Sequence, residues 1–144
     1  MKYFLDTNLV ILLFEGNEKK LKKQTLQILD IPNTKLFASA ISLNEIVQLV
    51  RKKRLEGIDY EKYNSPEKIL NAILAKTKDV ITFLPYEPKY AKIIAKIEYA
   101  PKHNDPNDLS IIAHAIGKKL PIITTDRVFP YYEQFGAKII LNQL

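Results

Sequence analysis

Five short, mostly apolar runs punctuate the chain: Tyr3-Phe4-Leu5, Leu36-Phe37-Ala38, Val80 to Leu84, Pro121 to Thr124 and Ala137 to Leu141. Each is too short for a helix and is consistent with a strand covered on both faces. Between them the apolar period changes to three and four residues, the signature of a helix with one buried face. Leu9 to Phe14 reads as a short helix closed by Gly16-Asn17. A second helix carries Leu21, Thr25, Ile28 and Leu29 on one face, has Lys19, Lys20, Lys22 and Lys23 at its start, and stops at Pro32-Asn33. Ser42 opens a third, with Leu43, Ile46, Val47 and Val50 inward, which ends in Arg51-Lys52-Lys53-Arg54 and is stopped by Gly57.

Residues 58 to 64 read as a loop. Ser65-Pro66-Glu67 then starts a helix with Ile69, Ile73 and Leu74 inside, Pro being well suited to a first helical position. Glu87 to Tyr99 forms the next, with Ala91, Ile94, Ala95 and Glu98 sharing a face and Ile97 beside it. In the last, Asp105 is a good N-cap, Pro106 a good first residue and Asp108 the third helical position. Leu109, Ile112, Ala113 and Ile116 make its core stripe, and Gly117 ends it. Strand alternating with helix implies parallel strands joined by right-handed crossovers. The expected fold is therefore α/β, a three-layer α/β/α sandwich around a mostly parallel five-stranded sheet, with residues 1–144 forming one domain.

That arrangement places strand C-termini and helix N-termini on one edge, where ligands bind in open α/β sheets. Asp6 and Asp126 leave strands. Glu45 and Asp108 enter helices, each expected at the third helical position. Capping accounts for each acid singly: Ser42-Leu43-Asn44-Glu45 also fits a capping box. It does not account for four acids on one edge of a chain with net charge +6 and a pI near 9.4. Close carboxylates raise one another's pKa, and a hard divalent cation relieves that repulsion.

Composition narrows the chemistry further. The absence of cysteine excludes disulfides and thiolate metal sites, so any metal must take oxygen or imidazole ligands. There is no Walker A or G-x-G-x-x-G loop and no G-x-S-x-G elbow. No apolar run approaches the roughly 18 residues of a membrane span. Lys2 is followed by an acid at position 6 with no small-residue cleavage site, so no signal peptide is expected, and the expected location is cytoplasmic. Residues 18 to 54 hold nine Lys or Arg against three acids, a basic band that suits a polyanion such as nucleic acid.

With these residues in place, the chain resembles a PIN domain, the metal-dependent ribonuclease family, over essentially its whole length. The carriers are Phe4-Leu5-Asp6-Thr7-Asn8, Ser39-x-x-Ser42-x-x-Glu45, Asp105-Pro106-Asn107-Asp108-Leu109-x-Ile111-Ile112-Ala113-x-Ala115 and Ile122-Ile123-Thr124-Thr125-Asp126. Many small members are similar to the VapC-type toxins of prokaryotic toxin–antitoxin pairs. The resemblance implies that Asp6, Glu45, Asp108 and Asp126 hold Mg²⁺ or Mn²⁺, with Asn8 and the Thr124 hydroxyl in support. It also implies an RNA substrate cut by metal-activated water, an antitoxin partner and a homodimer. The segment from Gly57 to Thr77 is longer than the shortest family members need. RNA is expected across the basic band, on Lys20, Lys23, Arg51, Lys52, Lys53 and Arg54.

Spacing alone allows either Asp105 or Asp108 as the third acid. Asp105 fits the cap better, and Asp108 aligns with the family's acid. Neither histidine is expected to act as an obligatory base: His103 sits just outside the acid set, and His114 is internal to a helix. Two readings of other classes stay open, a receiver-like phosphoacceptor that holds Mg²⁺ among clustered acids and a non-catalytic RNA-binding protein whose acids are only caps.

Overall fold

A computed structural model of the chain describes residues 1–16, 18–56 and 58–142. Asn17 and Gly57, expected to stop the first and third helices, lie outside the described residues. The strands are β1 (Lys2–Leu5), β2 (Lys35–Ser39), β3 (Ile81–Leu84), β4 (Ile122–Thr124) and β5 (Ile139–Leu141). They form one sheet in the order β3-β2-β1-β4-β5, and every pairing is parallel. The expected class holds, and the sheet is wholly rather than mostly parallel.

β1 is the central strand. Phe4 faces Phe37 on one side and Ile122 on the other, and Leu5 faces Ala38 and Ile123. Alternate side chains feed two separate cores. Leu5, Leu36 and Ile123 pack with α1 (Thr7–Glu15), α3 (Ala40–Arg51) and α4 (Pro66–Thr77), whereas Phe4 and Ile122 pack with α6 (Pro106–Lys118) and the 3₁₀ turns at Phe129–Phe135. α2 (Lys23–Asp30) lies on the first face, and α5 (Tyr90–Ile94) lies against α6. The result is three layers. From β1 the chain winds outward through β2 and β3, then returns to β4 and β5 on the other side. The direction of winding therefore reverses between β1 and β4, the kind of crevice where such sheets bind ligands.

Local chemistry accounts for the element ends that matter. Asp6, extended at φ −68° and ψ 159°, caps α1 through its own carboxylate. Ser65 caps α4 by accepting from Lys68 N at 3.2 Å, with Pro66 as the first helical residue. Asp105 and Pro106 open α6 in the same way.

Three expectations are corrected. α3 begins at Ala40, capped by Ser39, whose hydroxyl accepts from Ile41 N at 3.1 Å. The chain passes from β2 into α3 without a loop, so Ser42 is a buried third helical residue and Glu45 sits in the second turn. No capping box forms.

The helix expected over Glu87 to Tyr99 is regular only from Tyr90 to Ile94. Amides beyond it bond three residues back, Lys96 to Ile93 and Ile97 to Ile94, which winds the chain more tightly and rotates its faces. Tyr90 and Ile97 are buried in place of Ala91, Ala95 and Glu98. Gly117 does not end α6, which runs to Lys118 and is closed by Lys119 at φ 57°. A Cβ on Gly117 would stand 2.4 Å from Tyr90 Cε1, so glycine serves the close approach of α5 to α6. Among the described residues no helix is long and apolar enough to cross a membrane.

Candidate metal centre

Asp6 leaves the middle of the sheet, buried, with its amide bonded to Ile123 O at 3.0 Å. Its Oδ1 accepts from Thr7 N at 2.7 Å and its Oδ2 from the Thr124 hydroxyl at 2.8 Å. The same Thr124 oxygen accepts from Asp126 N at 3.0 Å, tying the exits of β1 and β4 together. Asp126 in turn accepts from Val128 N on Oδ1 at 2.9 Å. Glu45 projects from the second turn of α3, where Oε1 takes the Thr7 hydroxyl at 2.8 Å; Ser42 Oγ pairs with that hydroxyl at 2.9 Å. Asp108, the third residue of α6, holds His103 Nε2 on Oδ2 at 2.9 Å.

Two overlapping sets of donors result. One ligand atom each from Glu45, Asp105 and Asp108 lie within 4.8 Å of one another, and so do one each from His103, Asp108 and Asp126. Asp108 belongs to both. Asp105 also caps α6, accepting from Asn107 N on Oδ1 at 2.9 Å. Asn8 is exposed, and its amide donates to Thr125 Oγ1 at 3.3 Å, beside Asp126 in the chain.

The electrostatics follow from burial and crowding. Burial, together with the Asp108 and Glu45 carboxylates, pushes Asp6 up to about 7 against the bonds from Thr124 and Thr7. Burial, then Asp108 and Asp105, also pushes Glu45 to about 7, opposed by Thr7. Asp108 is raised by burial and by Asp105 and Asp126, with His103 pulling the other way. An oxygen-rich cluster so reluctant to ionise in full matches what a hard divalent cation would stabilise. The donors fit Mg²⁺ or Mn²⁺.

His103 was expected outside this set and in fact contacts it. Its sequence distance from Asp108 is short, but only the turn before α6 brings the ring back over the helix start. His114 is core. It is fully buried, stacked on Tyr90 with centroids 4.5 Å apart, bonded through Nδ1 to Ser39 Oγ at 2.8 Å, and held down to about 4 by burial.

Sequence reasoning also missed Thr7 as the partner of Glu45, although it stands beside Asp6 in the opening motif. It missed Tyr132 and Asn142 too. Asn142 receives Lys22 N on Oδ1 at 2.6 Å and donates to Lys20 O at 3.0 Å, pinning the basic segment to the end of β5.

A cleft of about 680 Å³ is lined by Asn8, Leu12, Lys20, Leu49, Arg54 and Arg127 among others, and by none of the four acids. A smaller recess of about 150 Å³ connects Glu45 and Asn107 to Gln48, Lys52 and Arg54. Lys23, Arg51 and Lys53 are exposed farther along the same basic segments.

Solved structures share the fold. VapBC2 from Rickettsia felis, bound to a promoter DNA fragment, matches with TM-score 0.66 and 18% identity over 99% of this chain and 100% of that one. VapBC-1 from nontypeable Haemophilus influenzae matches with TM-score 0.66 and 23% identity over 98% of each chain. VapBC-5 of Mycobacterium tuberculosis, from a toxin–antitoxin family, matches with TM-score 0.59 and 20% identity over 99% and 98%. No curated protein sequence matches the chain. The sequence model of the PIN domain, however, matches residues 3–134, and the chain belongs to the PIN domain family.

Proposed function

We propose that the protein is a Mg²⁺- or Mn²⁺-dependent endoribonuclease, and the toxin of a VapBC-type toxin–antitoxin pair. The observation that carries the reading is the crowding of carboxylates around Asp108, which shares one donor set with Glu45 and Asp105 and another with His103 and Asp126, while buried Asp6 feels the charge of Asp108 and Glu45 and, like Glu45, is pushed to about 7. Asp6, Glu45, Asp108 and Asp126 would hold the ion, which supplies a Lewis acid that acidifies water and neutralises charge on a phosphate oxygen. Fixed partners steer three of these carboxylates: Thr124 and Thr7 N for Asp6, the Thr7 hydroxyl for Glu45, Val128 N for Asp126. Asp6 and Glu45 give up protons as the site loads, so affinity for the ion rises with pH.

Lys52 and Arg54 line the same recess as Glu45, and would receive phosphates of a strand whose scissile bond lies at the acids. The VapBC neighbours support a partner antitoxin; a homodimer and a cytoplasmic location belong to the same proposal. The larger cleft offers Ile11, Leu12 and Leu49 flanked by charges of both signs, a lining suited to a protein segment.

Incubating the purified protein with RNA and Mn²⁺ should give fragments, and EDTA or Asp108→Asn should abolish them. Cleavage that persists in EDTA would overturn the metal mechanism. RNA left intact at every metal concentration would favour the binding-only reading.

A further inference from the structure

Among the four acids, Asp108 is the only one held by another side chain's ring. From the hydrogen bonds around that ring, and on the reading of the acids as a cation site, we infer that His103 and Tyr132 are positioning residues that fix Asp108 for the metal.

Proton accounting around Tyr132 dictates the arrangement. Its ring is fully buried, and its oxygen already accepts from Ala100 N at 3.1 Å. Its one proton is left for its other partner, His103 Nδ1. A neutral His103 that accepts on Nδ1 carries its own proton on Nε2, which faces Asp108 Oδ2 at 2.9 Å. The chain Ala100 N–H, Tyr132 O–H, His103 Nε2–H, Asp108 thus runs in one direction with every proton placed. It leaves Asp108 Oδ1 for a cation.

The anchoring is firm at the other end. His103 N donates to Ala100 O at 3.0 Å, and Tyr99 meets the imidazole edge-on at 5.8 Å. The His103 and Asp108 side chains keep only 10% and 16% of their exposure, so water competes poorly for the bond. Partners that orient a ligand in this way typically contribute 10- to 100-fold in metal affinity.

Mn²⁺ affinity measured by titration calorimetry on the full chain tests the inference. His103→Leu should bind at least about tenfold more weakly than wild type. His103→Gln, whose amide can offer an N–H to Asp108, should recover most of that loss. Tyr132→Phe removes the hydroxyl while keeping the ring, and should weaken binding as well.

Long-range ¹H–¹⁵N NMR of the metal-free wild type gives a readout independent of folding in the variants. With only two histidines in the chain, His103 is assigned by its loss in His103→Gln, and it should show the Nε2–H tautomer. An Nδ1–H tautomer, or equal Mn²⁺ affinity for wild type and a folded His103→Leu, would overturn the inference. If wild type itself binds no Mn²⁺, the cation reading fails and takes this inference with it, an outcome distinct from the other two.

Discussion

Asp6 is the residue where burial, crowding and function conflict most directly. Its folded pKa of about 7 lies above the ordinary value of 3.8, so the folded state binds the extra proton. Such a group contributes stability that is fully present below about 4 and is lost as pH rises through 7. Metal-free protein should therefore lose stability across that window. His114 acts in the opposite sense: held down to about 4, it disfavours the folded state as pH falls below its ordinary 6.5. Only the difference between wild type and variant isolates the acid.

Asp6→Asn should remove RNA cleavage yet raise metal-free stability at pH 8 by on the order of 1–3 kcal/mol. The gain should vanish near pH 4, and saturating Mn²⁺ should stabilise wild type more than the variant. Thermal melts from pH 4 to 8 with EDTA check this, and an Asp6→Asn variant less stable than wild type at pH 8 would contradict it. Asp105 and Asp108 divide differently. Asp105 spends Oδ1 on the α6 cap, and Asn caps as well as Asp. Asp105→Asn should keep the fold and part of the activity, whereas Asp108→Asn should lose nearly all activity and weaken Mn²⁺ binding. Parallel metal titrations decide it; the reverse pattern would exchange the two roles.

At the scale of elements, the strands and the starts of α4 and α6 were legible because one residue type dominates each signal. In Asn64-Ser65-Pro66 and Asn104-Asp105-Pro106 two residues could cap, and the proline, suited to the first helical position, picks the one directly before it. α3 was ambiguous for a physical reason. Ser39 and Ser42 are both competent caps three residues apart, and the choice depends on β2 running straight into the helix, which only sheet register determines. His103 meeting Tyr132, or Thr7 meeting Glu45 across 38 residues, was illegible because these contacts are made by tertiary packing and leave no spacing signal.

Gly117 shows the same limit. Its position near a helix end invites a stop signal, but its role is to admit Tyr90. That ring cannot easily retreat, being stacked on His114 and bonded through its hydroxyl to Glu87 at 2.9 Å. Gly117→Ala would gain about 1 kcal/mol of helix propensity in open space. Here the overlap with Tyr90 should outweigh it, giving a net loss of roughly 1–3 kcal/mol, as overpacking typically does. Denaturant melts of Gly117→Ala check the sign, and a stabilised variant would show that α5 yields.

Over the whole molecule, a net charge of +6 surrounds a centre built from acids. The two signs are separated along α3, which carries Glu45 in its second turn and Arg51 at its end, with Lys52, Lys53 and Arg54 following. A polyanion is repelled by the unfilled acids, so the surrounding cations must supply its affinity. Replacing Arg51, Lys52, Lys53 and Arg54 with Gln should therefore weaken RNA binding and flatten its dependence on salt. Each single-stranded phosphate contact contributes about 0.7 to the slope of log affinity against log salt. Loss of up to four contacts should reduce the slope by roughly 1 to 3. All four side chains are exposed and the acids' own bonds do not involve them, so fold and Mn²⁺ affinity should stay near wild type. Fluorescence anisotropy with a labelled single-stranded RNA and Asp108→Asn as the uncleaving background, from 50 to 300 mM salt, makes the measurement. A lower affinity with an unchanged slope would mean that the four residues shape the recess without touching phosphate. If neither quantity changes, the band is a solvated helix end, and RNA must approach from the Lys20 side of the larger cleft.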